Sequence, residues 1–213
     1  MRIEVKICGL NDPEGVHAAA EAGADFLGFV FFPPSPRAVS PERAAALSSL
    51  VPRGPGRVGL FVAPAAEAIA AVLAVLKLDA LQIYPPPGAP PDWAGALGAR
   101  FGLPVWRAVG VAAAADLPAS APGAARLLIE AKPPPGATRP GGNAARFDWS
   151  ILRGWDAPAP WVLAGGLDPG NVAAAIAASG ARAVDVSSGV ETAPGQKDPA
   201  LIRAFVAAAR GSI

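Results

Sequence analysis

The chain of 213 residues is long enough to bury a sizeable core, in one large α/β domain or in two small ones. Its residues are 52% hydrophobic and 16% charged, which excludes an extensively disordered protein. The formal net charge is +1 and the basic residues form no stripe, so the sequence gives no support for a nucleic-acid partner.

Eight short runs rich in Val, Ile, Leu and Phe alternate with Ala-rich segments of helical period. Near-continuous hydrophobicity without polar alternation is typical of parallel strands that are buried on both faces. The predicted strands are residues 3–7, 26–30, 58–62, 80–83, 105–109, 126–130, 161–164 and 183–186.

Helix starts are marked between these strands. "NDPEG" and "SPERA" each place Asp or Ser before a proline and an acid, which is typical of an N-cap and a first turn. "DPGNVAAAIA" and "KDPALIRAFV" repeat the pattern nearer the end. The fifth unit is the weakest, because prolines interrupt "AAAADLPASAPG". The Pro-rich segments "YPPPGAPPDW" and "AKPPPGATRPGGN" each follow a strand directly and are predicted to be long βα loops.

Eight strand–helix units predict an α/β fold, a (β/α)8 TIM barrel of parallel strands that occupies residues 1–213 as a single domain. A doubly wound open sheet is the alternative. No Gly-x-Gly-x-x-Gly fingerprint follows the first strand, so a dinucleotide site is not expected.

The loops after strands seven and eight carry a candidate phosphate site. In such barrels the active site lies at the carboxyl ends of the strands, and these two loops commonly hold phosphate. Gly165 and Gly166 let backbone N–H groups approach a ligand closely, while Ser187, Ser188 and Gly189 offer hydroxyls and a short helix N-terminus. The pattern favours phosphate, the alternative being glycines that only turn the chain.

Cys8 and Glu130 end the first and sixth strands. Cys8 is either a small buried hydrophobe or, beside Lys6 in sequence, a reactive thiolate, which would require a lowered pKa. Glu130 ends an otherwise apolar run, where an acid costs free energy unless it is paired or protonated. It either pairs with Lys132 or has a raised pKa and serves as a general acid.

Arg37 follows the second strand in "FFPPSPRAVS", a loop that prolines hold rigid. Such an arginine can bind a carboxylate in bidentate geometry, the alternative being an ordinary surface arginine. His17, the only histidine, falls inside the first helix and is interpreted as structural.

Together, "KICG", "GADFLGFVFFPPSPRAVS", "VGLFV", "FDWSIL", "LAGGLDPGNV" and "VDVSSGVETAPGQKDP" resemble the phosphoribosylanthranilate isomerase family of tryptophan biosynthesis, over residues 6–205. The resemblance implies an Amadori rearrangement of N-(5-phosphoribosyl)anthranilate to the 1-deoxyribulose 5-phosphate, without cofactor or metal. We therefore expect a phosphorylated small molecule as substrate.

The resemblance also implies roles for individual residues. Cys8 is the general base that removes the C2′ proton, and Gly9 leaves room beside it. The acid of strand six, Glu130 here, protonates the furanose ring oxygen. Arg37 binds the anthranilate carboxylate and Asp185 contacts the sugar hydroxyls, while the loops after strands seven and eight bind the phosphate.

Three departures from the family pattern stand out. The strand-six acid is aspartate in the family, in a pattern like "LLDA", whereas this chain has Glu130, one methylene longer. Where the family usually shows "QLHG" after strand four, this chain has Tyr84 in place of the histidine. Ala144 replaces a glycine after "GGN", which predicts a loop less free to adopt a positive φ.

Two rival functions remain open from the sequence. The histidine-pathway isomerase performs the same rearrangement, but the pattern of that family has a pair of aspartates, one on strand one and one on strand eight. In this chain Cys8 stands at the first of these two positions. A non-catalytic binding protein that kept the phosphate site is the other rival, which the retained Cys8 and Arg37 disfavour.

The sequence also suggests a location. Its longest apolar stretch, "AIAAVLAVL", is half the roughly 18 residues that a membrane span needs, and nothing resembles a signal peptide. A single cysteine cannot form an internal disulfide, which fits a reducing cytoplasm. We expect a cytoplasmic protein with no membrane partner, and the sequence leaves protein partners open.

Overall fold

The computed structural model describes residues 2–134, 136–137, 139–142 and 145–211, and a closed barrel of eight parallel strands forms its centre. Each strand pairs with its neighbours in chain order, and β1 closes the barrel by pairing with β8. The strands are β1 Glu4–Cys8, β2 Phe26–Val30, β3 Gly56–Val62, β4 Ala80–Tyr84, β5 Val105–Val111, β6 Arg126–Ala131, β7 Trp161–Leu163 and β8 Ala183–Val186. The predicted TIM barrel is confirmed, and the doubly wound open sheet is wrong.

The α-helices of the described residues pack against the outer face of the barrel, with the large hydrophobic core between helices and strands. They are α1 Pro13–Glu21, α2 Pro41–Ser49, α3 Ala66–Leu73, α4 Trp93–Phe101, α5 Val172–Ser179 and α6 Pro199–Arg210. Asp12, Ser40 and Asp198 each cap a helix by accepting a hydrogen bond from a backbone N–H of its first turn. The predicted starts of α1, α2 and α6 are confirmed, because each combines this cap with a proline in the first turn.

Units five and six depart from the regular pattern. In the part of the chain that the structure describes, β5 and β6 are followed only by the 3₁₀ turns Ala114–Asp116 and Trp149–Leu152. The fifth is short because Pro118 and Pro122 interrupt the segment, as predicted. The sixth ends two residues before Gly154, whose φ of 77° is incompatible with a continuing helix.

A two-stranded antiparallel hairpin, which the sequence analysis missed, lies between β8 and α6. Its strands are β9 Glu191–Ala193 and β10 Gln196–Lys197, and their register places Lys197 opposite Glu191. The dipeptide Pro194-Gly195 is the signal that would have found it, because Gly195 has a φ of 85° in the turn.

Side chains alternate between two sides of the barrel wall. Val5 and Ile7 of β1 belong to the large core between the strands and the helices. Lys6 and Cys8 of the same strand point into the barrel, because successive side chains of a strand face opposite sides. No helix among the described residues is both long enough and apolar enough to cross a membrane.

Candidate active site

A cavity of about 780 Å³, its open mouth included, lies at the carboxyl ends of the strands. Eight of the nine predicted site residues line it: Cys8, Arg37, Glu130, Gly165, Gly166, Asp185, Ser187 and Ser188. Gly189 is not among the lining residues, and a Cβ there would overlap the carbonyl of Leu167. Residues from both ends of the chain thus meet at one cavity.

Lys6 and Asp185 form a buried ion pair at the base of this cavity. They are register partners on β1 and β8, and Lys6 Nζ lies 2.8 Å from Asp185 Oδ1. Burial is the largest single influence and would lower the pKa of Lys6, but Asp185 and Cys8 together outweigh burial and the pKa is raised. The ammonium group is therefore held in its charged form inside the barrel.

Cys8 lies beside this pair, in an apolar cluster with Val30 and Leu60. Burial raises the pKa of the thiol, while Lys6, through its charge and a hydrogen bond, acts in the opposite direction. The lowered pKa that a reactive thiolate was expected to need is thus not present in the free protein. Gly28 leaves the space for this arrangement, because a Cβ there would lie 3.0 Å from both Cys8 Sγ and Lys6 Nζ.

Gly9 makes room for a different residue than expected. Its φ is 74°, and an added Cβ would lie 2.6 Å from Cδ of Arg37 and 3.1 Å from Oγ of Ser187. The expectation that Gly9 leaves room beside the thiol is therefore corrected. Gly9 lets the arginine of the second loop pass over the end of β1.

Glu130 is 5% exposed at the end of β6. Burial raises its pKa to about 8, while a hydrogen bond with Tyr84 acts in the opposite direction. The alternative pairing with Lys132 is wrong, because β6 ends at Ala131 and Lys132 Nζ bonds Asp116 instead. Glu130 is accordingly a mostly protonated carboxyl at neutral pH.

Arg37 is buried, so the alternative of an ordinary surface arginine is wrong. Its Nε and Nη2 donate to the two carboxylate oxygens of Glu191 at 2.7 and 2.8 Å. A guanidinium carries five N–H donors, and the edge formed by Nη1 and the second N–H of Nη2 is not used by Glu191. Nη1 is the atom that a Cβ on Gly142 would meet, at 2.8 Å.

Glu191 and Lys197, which the sequence analysis did not single out, bond to residues that line the cavity. Lys197 Nζ donates to Glu191 Oε1 at 2.7 Å and to the backbone carbonyl of Ser187 at 2.9 Å. Burial would raise the pKa of Glu191, but Arg37 and Lys197 together lower it. The hairpin thus connects the candidate phosphate loop to the arginine through ionic hydrogen bonds.

The glycine loop after β7 fits closely against β6. Gly165 and Gly166 have φ values of 83° and 65°, which favour glycine. A Cβ on Gly165 would lie 2.8 Å from the backbone N of Ala131. Among the described residues, no group of three or more His, Cys, Asp or Glu side chains is arranged to hold a metal ion. Ala144, the third departure from the family pattern, lies outside the described residues.

A parallel (β/α)8 barrel with a thiol, a carboxyl of raised pKa and an arginine around one cavity at the carboxyl ends of its strands has the architecture of a barrel enzyme. A family model for N-(5′-phosphoribosyl)anthranilate isomerase matches residues 5–208. The chain belongs to this family.

Individual relatives agree over nearly the full length. The chain is 59% identical to an N-(5′-phosphoribosyl)anthranilate isomerase of Acidiphilium cryptum, over 97% of this chain and 98% of that protein. A crystal structure of the isomerase from Thermotoga maritima is 36% identical, with a TM-score of 0.84 and coverage of 98% of this chain and 99% of that chain. Another isomerase structure, also 36% identical over the same shares of the two chains, has a TM-score of 0.82 and contains reduced 1-(o-carboxyphenylamino)-1-deoxyribulose 5-phosphate.

Proposed function

We propose that this chain catalyses the Amadori rearrangement of N-(5′-phosphoribosyl)anthranilate in tryptophan biosynthesis, with Glu130 as the general acid and Cys8 as the general base. The observation that carries the proposal is that both groups line one cavity in a member of this isomerase family. The relative that contains the reduced product further supports this substrate class.

Glu130 begins the reaction by protonating the furanose ring oxygen of the substrate. With a pKa of about 8 it carries the required proton at neutral pH. The bond between C1′ and the ring oxygen then breaks, the nitrogen lone pair forms an iminium ion with C1′, and Glu130 is left as a carboxylate.

Cys8 first releases its own proton to solvent and then removes the proton from C2′ as a thiolate. The electrons of the broken C–H bond move toward the iminium nitrogen. The resulting enamine gains a proton at C1′ and loses one from the C2′ hydroxyl, which becomes the ketone. C1′ is reduced and C2′ oxidised within one molecule, so the step needs no external oxidant or reductant. The ammonium group of Lys6 favours the thiolate, and the positive iminium makes the C2′ proton more acidic.

The remaining site residues hold the two ends of the substrate. The unused edge of Arg37 binds the anthranilate carboxylate, and the cluster of Arg37, Lys197 and Glu191 keeps one net positive charge for it. Asp185 accepts hydrogen bonds from the sugar hydroxyls while paired with Lys6. The phosphate is bound by Gly165, Gly166, Ser187 and Ser188, through backbone N–H groups and hydroxyls, while Gly189 follows these serines without lining the cavity.

A turnover assay on enzymatically generated phosphoribosylanthranilate, followed by loss of anthranilate fluorescence, tests this function. Turnover supports the proposal. Turnover of the corresponding histidine-pathway substrate alone would favour the other isomerase, and binding without turnover of either would favour the non-catalytic protein. Residues 1–213 are proposed to work as one barrel domain in the cytoplasm, where the free thiol of Cys8 stays reduced.

A further inference from the structure

Tyr84, the only tyrosine of the chain, ends β4 at the cavity, where its hydroxyl lies beside the Glu130 carboxyl and lowers the pKa of that carboxyl. Its ring packs against two small apolar clusters at the barrel mouth, one of Cys8, Val30 and Leu60 and one of Ala108, Leu128 and Ala164. Contacts to both clusters fix the ring, so the hydroxyl is presented to the carboxyl from a rigid base.

Gly141 closes the same contact from the loop after β6. A Cβ at this position would overlap the Tyr84 hydroxyl and would lie 2.7 and 3.0 Å from the two carboxyl oxygens of Glu130. The backbone of Gly141 therefore covers the hydroxyl and the carboxyl together. The three residues come from two strands and a loop, and they restrict where the carboxyl can lie.

We propose that Tyr84 is a positioning residue for Glu130, whose hydroxyl holds the carboxyl of this long side chain in the place where it delivers its proton. The inference rests on the proposed role of Glu130 as the acid. Glutamate has one more rotatable bond than aspartate, so its carboxyl reaches more positions and loses more side-chain entropy when fixed. A misplacement of about 1 Å can cost roughly a hundredfold in rate, so a fixed partner matters at this position.

Tyr84 does not itself exchange a proton in this role. Burial, followed by the charge of Glu130, raises its pKa well above the ordinary value of 10. The phenol therefore keeps its proton and donates to the Glu130 carboxyl in both states, to the carbonyl oxygen before the proton is delivered and to the carboxylate afterwards. This hydrogen bond opposes the effect of burial on the pKa of Glu130.

The substitution Tyr84→Phe tests the proposal, because it removes the hydroxyl and keeps the ring. We expect kcat to fall about tenfold with KM changed less than about twofold, since only the placement of the acid is altered. In protein labelled with ¹³C at the glutamate carboxyl carbons, the pKa of Glu130 should rise, because the donor that favoured the carboxylate is gone. Glu130→Gln assigns the signal.

A double-mutant cycle with Glu130→Asp adds a result that a purely structural role would not give. The aspartate carboxyl is one methylene further from the hydroxyl, so Tyr84→Phe should then change kcat less than about twofold. An unchanged pKa of Glu130 and an unchanged kcat in Tyr84→Phe would overturn the proposal. Equal losses of kcat when Tyr84→Phe is made in the native protein and in Glu130→Asp would overturn it as well. If Glu130→Gln keeps its turnover, the proposed acid is wrong, while the ¹³C titration still reports whether Tyr84 bonds Glu130.

Discussion

Replacing Glu130 by Gln should flatten the pH dependence of stability, because it removes a carboxyl that folding forces to hold its proton. The pKa of Glu130 is about 8 in the folded protein and 4.5 for an ordinary glutamate. Between these values the folded state binds more protons than the unfolded state at this residue, so stability falls as pH rises. The loss begins near pH 4.5 and levels off above pH 8.

The size of the effect follows from the two pKa values. Linkage gives a loss of about 2–3 kcal/mol for the native protein between pH 5.5 and 7.5 through this residue alone. Glu130→Gln has no ionisable group there, so its free energy of unfolding should fall by that much less over the same interval. The free energy of unfolding of the native protein should therefore decrease relative to that of the variant as pH rises.

Urea unfolding of both proteins at pH 5.5, 6.5 and 7.5 measures this difference. Glu67→Gln is the matched control, because the Glu67 side chain is 83% exposed and should leave the native pH dependence unchanged. If the native protein and Glu130→Gln show parallel pH dependence, Glu130 is not held protonated by burial, and the reasoning about its pKa is refuted.

Three further substitutions test the remaining roles. Cys8→Ser should fold normally yet lose about 10²–10⁴-fold in kcat, since a hydroxyl is a far weaker base; a near-native rate would remove Cys8 from the mechanism. Arg37→Ala should raise KM about 10–100-fold and leave the affinity for inorganic phosphate unchanged. If the affinities for substrate and for phosphate fall equally, the loop that carries Arg37 has only a structural role. Gly141→Ala should lower kcat at least about tenfold by displacing the Glu130 carboxyl. The control Gly170→Ala should not lower kcat, because its added Cβ would contact only Asp168 Oδ1, at 3.3 Å. Equal kcat in both variants would contradict the contact between Gly141 and the Glu130 carboxyl.

The barrel could be predicted from the sequence because parallel strands buried on both faces leave a direct signal in hydrophobicity. Cys8, Glu130 and the two loops could be placed for a similar reason, since the carboxyl ends of barrel strands converge on one cavity. Eight of the nine residues predicted for the site do line the cavity.

Their partners could not be found in this way, because they depend on contacts distant in sequence. Lys6 meets Asp185 only because β8 closes the barrel against β1, 179 residues along the chain. Arg37 reaches Glu191 across 154 residues, through a hairpin that carries no hydrophobic signal. The alternative pairing of Glu130 with Lys132 is wrong for a local reason, since the strand ends between them and the alternation of side chains stops there.

Single-turnover conversion of phosphoribosylanthranilate by the native protein, Cys8→Ser and Glu130→Gln, measured together, tests the central claim most directly. The account predicts conversion by the native protein, and binding with little or no conversion by either variant. Conversion by Cys8→Ser or Glu130→Gln at close to the native rate would contradict acid–base catalysis by this pair, and an inactive native protein would contradict the proposed function itself.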